Sequence, residues 1–308
     1  MPTEHMAAFA APTAQQPLKE ASSFADYWAL TKPDVNLLIL ITTAAGFYLA
    51  LPAHLVGFPI LLVVHTLVGT LLVASGTATL NQYVERQFDA QMRRTKRRPL
   101  AAGRIDPSRA LWFGVALSVS GAVYLAAAVN LLASLLAVLT LSSYLLLYTP
   151  LKRKTPLCTL AGAFPGAVPP LIGWAAASGT LSLEAWLLYG LVFLWQFPHF
   201  MAIAWMYRED YVRAGYLVLP HGERRNSFMG LQAVLPSFGL IALSFAPMLM
   251  GKAGLFYTAG ALFSSIWFLY YGGQLAIRKT NDAARRLLLA SIVYLPVMFG
   301  MRWLLGIV

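Results

Sequence analysis

Apolar stretches of about 18 to 25 residues, the length a helix needs to cross a bilayer, recur along this chain with little between them. Nine are read, over roughly 34–52, 60–80, 110–128, 131–149, 157–177, 182–206, 228–250, 254–276 and 286–306. A soluble domain is excluded. Only 11% of the 308 residues are charged, under half the usual quarter, and the mean hydropathy is +0.64. The predicted fold class is an all-α membrane protein, a bundle of nine transmembrane helices.

Charge orients that bundle. Of the 23 Lys and Arg residues, only Lys252 and Arg302 fall outside the N-terminal region and alternate loops. The others, besides Lys19 and Lys32, lie in 81–109, 152–154, 208–225 and 278–286, whereas the loops at 51–58 and 129–132 carry no charge. By the positive-inside rule the N-terminus and the basic loops face the cytoplasm. The net charge of +11 therefore reports topology, not nucleic-acid binding. The N-terminal stretch has no long apolar core and no arginine, and it carries Glu4 and Glu20. That argues against a cleaved secretory signal and against a mitochondrial transit peptide. A flexible cytoplasmic tail over 1–25, a membrane domain over 26–308 and a bacterial inner-membrane location are the expectations. The one cysteine, Cys158, has no intrachain disulfide partner and reads as a packing residue.

Polar residues cluster where the second stretch ends. Asn81, Glu85 and Asp89 recur every four residues, and each such step turns a helix only about 40° past a full circle, so the three share a face. Arg93, Arg94, Lys96, Arg97 and Arg98 follow at once. Carboxylates so spaced suit a hard cation such as Mg²⁺, and arginines suit a phosphate. A solvated juxtamembrane face carrying an ordinary positive-inside cluster explains the same residues, and this stretch alone leaves both readings open.

Further along, Tyr148 precedes the cations Lys152, Arg153 and Lys154, a second place where phosphate could be gripped or where topology alone puts charge. The fifth stretch holds Gly162, Pro165, Gly166, Pro169, Pro170 and Gly173. Broken backbone in a membrane is tolerated only where protein or a cavity satisfies it, so this helix either lines a central cavity or kinks for packing. The sixth stretch ends in Trp195-Gln196-Phe197-Pro198-His199-Phe200, then Tyr207-Arg208-Glu209-Asp210-Tyr211. Two polar sites four helices apart suggest two pseudo-repeated halves facing each other. His199 is costly in a membrane helix unless paired or used, whereas His65, among small residues of helix two, reads as a packing histidine. Tyr27, Trp28 and Lys32 read as interfacial anchors.

Taken together, NxxxExxxD from Asn81, MRRTxxRPL from Met92, YTxxLKR from Tyr148, WQFPHF from Trp195 and YREDYxxAG from Tyr207 resemble the heme branch of the intramembrane aromatic prenyltransferases (the UbiA-type superfamily), the protoheme IX farnesyltransferase or heme O synthase family. The resemblance runs from about Tyr27 to the end of the chain. It implies nine helices around a central cavity and transfer of a farnesyl group from farnesyl diphosphate to a vinyl group of heme b, assisted by Mg²⁺. Carried over residue by residue, it implies catalytic roles for Asn81, Glu85, Asp89 and Asp210, with Glu85, Asp89 and Asp210 as metal ligands. It places Arg94, Arg98, Lys152, Arg153, Tyr148 and Tyr207 on the diphosphate and makes His199 a candidate heme contact. Heme A synthase or a second copy of the chain are the candidate partners. Two departures stand out: Glu85 replaces the aspartate common in the superfamily, and the second motif is degenerate, which puts a full second metal site in doubt. A prenyltransferase for a quinone precursor or chlorin, and a transporter of an anionic metabolite, are the competing readings.

Overall fold

The computed structural model describes residues 23–52 and 57–304. Most of the expected N-terminal tail, 1–22, lies outside the described residues, and a short helix α1, Phe24–Leu30, begins inside its predicted bounds. The remaining elements are α2 (Pro33–Leu49), α3 (Ile60–Asp89), α4 (Pro107–Ala128), α5 (Leu131–Ser142, running on through a π-helical turn at Ser143–Tyr148 to Leu151), α6 (Cys158–Gly166), α7 (Pro169–Ser178), α8 (Leu183–Met206), α9 (Arg208–Arg213), α10 (Arg224–Leu249), α11 (Leu255–Arg278) and α12 (Asn281–Leu304).

Each predicted apolar stretch has a helical counterpart among the described residues, with α6 and α7 together standing for the fifth. Seven of these are long and apolar enough to cross a membrane. The other two fall short of that measure: α2 has 17 residues, and α11 lies outside the seven although its 24 residues are long enough. Large apolar side chains such as Leu38, Leu61, Val123, Phe256 and Phe263 stand exposed around the bundle. In water so continuous an apolar surface would aggregate; in a bilayer it faces acyl chains.

Two buried clusters hold the bundle. One is drawn mainly from α8 and α10 to α12, the other from α2 to α5 and α7, and Tyr189 and Phe299 pack against both. Helices approach closely where glycine permits it. A Cβ on Gly173 of α7 would lie 1.9 Å from the Thr43 carbonyl oxygen of α2, and one on Gly46 of α2 would lie 2.1 Å from the Pro170 carbonyl oxygen. Without a strong hydrophobic drive between helices in lipid, such backbone proximity supplies the van der Waals contact that holds them together.

The proline-rich fifth span is broken at Ala167–Val168, where α7 restarts with Pro169 and Pro170 in its first turn. Gln196 reaches across from α8 and donates to the Ala163 carbonyl at 3.1 Å. All eight residues from Pro169 to Ala176 are buried, so α7 is packed protein on its α2 side rather than a cavity wall there. His65 accepts the bland reading too, with Nδ1 2.7 Å from the Tyr124 hydroxyl of α4.

Candidate active site

Helix α3 is 30 residues long, about 45 Å at 1.5 Å per residue, against a hydrocarbon core of about 30 Å. Its last three turns therefore carry Asn81, Glu85 and Asp89 to the edge of the apolar zone. All three are nevertheless buried. Chain direction alternates from span to span, so the loops after α3, α5 and α8 lie at one end of the bundle. Contacts bear this out: the Leu217 backbone N–H donates to the Lys152 carbonyl at 2.7 Å, and the Arg94 guanidinium lies 5.0 Å from the centre of the Tyr207 ring.

Each carboxylate has a cation of its own. Lys152 Nζ lies 2.8 Å from Glu85 Oε1, and Arg98 Nη1 lies 2.7 Å from Asp89 Oδ2. Thr95 Oγ1 donates to the Asp89 carbonyl at 2.9 Å, which fixes the turn that swings Arg98 back over the helix end. Lys152 also sits 4.5 Å from the centre of the Tyr148 ring. Burial works against its charge, but Tyr148 and the hydrogen-bonded Glu85 carboxylate outweigh it and hold its pKa well above the usual lysine value. The π-helical turn Ser143–Tyr148 ends at this lysine's doorstep. One extra residue per turn rotates Tyr144 and Tyr148 relative to a regular helix, a distortion common at functional sites, and their rings lie tilted against each other with centres 5.1 Å apart.

The structure thus brings Asn81, Glu85, Asp89, Arg98, Lys152 and Tyr148 together. The remaining candidates have contacts of their own. Arg153 lies 4.3 Å over the Phe88 ring, Arg94 is taken up by Tyr207, and Asp210 pairs with Arg213 at 3.0 Å on α9. His199 Nδ1 lies 2.7 Å from Ser291 Oγ of α12, and its ring stacks on Trp195 at 4.8 Å.

Two residues that sequence reading did not place here belong to the same neighbourhood. Lys32, read as an interfacial anchor, donates from Nζ to Asn81 Oδ1 at 3.1 Å. Its backbone is left-handed, φ 52°, which is uncommon for a residue with a side chain and turns the chain from α1 into α2. Burial, with the positive charge of Arg98 adding to it, draws its pKa down to about 7. Tyr216 is buried over the other side, its ring centre 5.9 Å from Lys152 Nζ and 5.9 Å from the Phe88 ring. Burial, and then the Glu85 charge, push its hydroxyl pKa up.

Among the described residues no three His, Cys, Asp or Glu side chains converge on a point where they could hold a metal. Of the expected set of Glu85, Asp89 and Asp210, Asp210 is paired with Arg213 on its own short helix. Glu85 and Asp89 remain. Mg²⁺ is held by one or two carboxylates together with substrate phosphates and water, and Asp89 Oδ1 is buried with no hydrogen-bond partner among the described residues. That open lone pair and the acidic donor set fit such an ion.

Residues 39–301 match the UbiA prenyltransferase family. The chain belongs to that family. Among relatives of this UbiA chain, the protoheme IX farnesyltransferase of Solibacter usitatus (strain Ellin6076) is 48% identical over 282 residues, covering 90% of this chain and 97% of that one. A solved structure described as digeranylgeranylglyceryl phosphate synthase in membranes has the same fold, with a TM-score of 0.74 at 18% identity, covering 92% and 98% of the two chains. A UbiA homolog from Archaeoglobus fulgidus, bound to GPP and Mg²⁺, has a TM-score of 0.60 at 15% identity, covering 90% and 99%. At these identities the two structures establish the all-helical UbiA fold.

Proposed function

We propose that this prenyltransferase moves a farnesyl group from farnesyl diphosphate to a vinyl group of heme b. The observation that carries the reading is the buried cluster at the end of α3, two carboxylates each paired to a cation, in a chain 48% identical to a protoheme IX farnesyltransferase along nearly its whole length. The competing transporter reading would need access from both faces, and the polar cluster sits at one end. The basic end is read as cytoplasmic and the membrane as a bacterial inner membrane, on the loop charges and the bacterial relative.

The work assigned to the chain is electrostatic. Glu85 and Asp89 hold Mg²⁺, which when bound neutralises charge on the diphosphate leaving group. Lys152 and Arg98, released from their carboxylates, take phosphate oxygens, Lys152 as a point charge and Arg98 as a planar fork. Lys32 and Asn81 hold the near edge of the same group. The farnesyl C1–O bond breaks with its electron pair leaving on the diphosphate. The vinyl π pair of heme forms the new C–C bond, and water adds to the resulting cation with loss of a proton, giving a hydroxyethylfarnesyl chain. The rings of Tyr144, Tyr148 and Phe88 supply electron-rich faces for an allylic cation. Arg94 and Tyr207 tie the loop after α3 to the start of α9, and Asp210 orders α9 through Arg213. The Nε2 of His199 remains a candidate heme contact.

The test is turnover. Purified protein in liposomes receives heme b and farnesyl diphosphate, with and without Mg²⁺, and the pigment is read by mass. A Mg²⁺-dependent hydroxyfarnesyl gain is expected, and Asp89→Ala should lose at least about a hundredfold of it, the scale of removing a charge-stabilising group. Unchanged heme with diphosphate still released would replace the acceptor by a quinone precursor or chlorin. Neither product from folded protein would sink the prenyltransferase chemistry.

A further inference from the structure

We propose that Tyr216 is a further substrate-binding residue, its hydroxyl donating a hydrogen bond to the diphosphate gripped by Lys152 and Arg98. The inference rests on the reading above and deepens it. Tyr216 is only 4% exposed, and its hydroxyl faces the Glu85 carboxylate without closing a hydrogen bond of good geometry on any described residue. An unsatisfied buried hydroxyl is costly, and native proteins retain such groups where a ligand completes them.

The backbone aims this side chain deliberately. Helix α9 stops at Arg213, and Gly215 takes a left-handed φ of 70°, a conformation that glycine adopts without strain. The chain then reverses, and the Tyr216 N–H closes the turn on the Tyr211 carbonyl at 2.9 Å. The next residue, Leu217, is tied to the Lys152 carbonyl at 2.7 Å. Two backbone bonds therefore lock Tyr216 beside the lysine. Its ring packs edgewise on Phe88 at 5.9 Å and on Tyr211 at 6.1 Å, so the ring is engaged while the hydroxyl, turned toward Glu85, is left without a well-formed hydrogen bond. Phe88 lies between Glu85 and Asp89 in sequence, which places the leftover donor at the acidic end of α3. The charges around it are Glu85, Asp89 and Lys152, the same groups assigned to metal and diphosphate. A neutral, strongly held O–H is the donor that a crowded anion site can admit without altering its charge.

The variant Tyr216→Phe removes only the hydroxyl. The probe is inorganic pyrophosphate with Mg²⁺, titrated into full-length protein in detergent and read by calorimetry, with melting temperatures taken in parallel. Tyr216→Phe is expected to melt at or above the wild-type temperature without ligand, because an unsatisfied group is gone. Its pyrophosphate affinity should fall about tenfold or more, the scale of a hydrogen bond to a charged group. Unchanged affinity overturns the role of Tyr216 while leaving the diphosphate site standing. A ligand-free variant that melts well below wild type or fails to fold also overturns it, since the hydroxyl would then have a structural partner. Wild-type protein that binds no pyrophosphate would overturn the diphosphate site itself, and Tyr216 with it.

Discussion

Lys32 shows what a single residue can hide. Flanked by Tyr27, Trp28 and Pro33, it reads as a boundary residue, and nothing in the spacing of the chain links position 32 to positions 81 or 152. Only the tertiary fold sets its ammonium on Asn81. The acidic face was legible because helical periodicity is local; a contact across 49 residues is not. With a pKa near 7, Lys32 titrates where the enzyme works. The neutral form is favoured in the folded protein, so the fold bears the full cost of charging Lys32 below pH 7, and that cost fades as pH rises from 7 toward the unfolded value near 10.5. Diphosphate reverses the preference, because it binds the charged form better. Affinity for Mg²⁺-pyrophosphate should therefore fall as pH rises above about 7, and Lys32→Met should flatten that slope. A slope equal in variant and wild type would remove Lys32 from the site.

At the scale of elements, the nine apolar stretches foretold where helices lie, since hydropathy over about 20 residues is a strong signal. The proline content of the fifth announced a break. Neither signal located the break at Ala167–Val168 or disclosed the π-helical turn in α5, because both depend on which neighbour satisfies the backbone. Nor did composition distinguish a cavity wall from packed protein, and α7 proves to be pressed against α2. Gly173→Ala should lower the melting temperature in detergent by the equivalent of about 1–3 kcal/mol, as overpacking does, since its new methyl would meet the backbone oxygen of Thr43. Gly190→Ala serves as the control: its Cβ meets only Leu243 Cδ1, at an ordinary 3.5 Å, and no loss is expected. Equal effects from the two would refute close α2–α7 packing as the cause.

Across the whole molecule, loop charge suggests an orientation, and alternation of direction requires that the motif after α3 and the motif after α8 share an end. What charge patterning could not convey is how the two motifs pair: Arg94 reaches Tyr207, while Asp210 pairs with Arg213 and Glu85 and Asp89 with their own cations. The orientation is open to direct measurement. Cys158 is the only cysteine and is fully buried, so native protein gives little background with a membrane-impermeant thiol reagent. In intact cells Thr180→Cys should react from outside and Glu223→Cys should not; the opposite pattern would invert the bundle.

The prepaired cluster also says how a highly charged molecule can enter so enclosed a place. Lys152 with Glu85 and Arg98 with Asp89 are two internal salts of zero net charge. On the proposed reading a magnesium diphosphate would enter as a third salt, and the three would exchange ions as in a double decomposition, the carboxylates taking the metal and the cations the phosphate. The surplus negative charge left on the diphosphate is the amount a protonated Lys32 balances. Neither ion offered singly would complete the exchange, because each would strand two charges of its own sign. With diphosphate and metal gone, the internal salts would re-form as they stand in this structure, and the site would be reset.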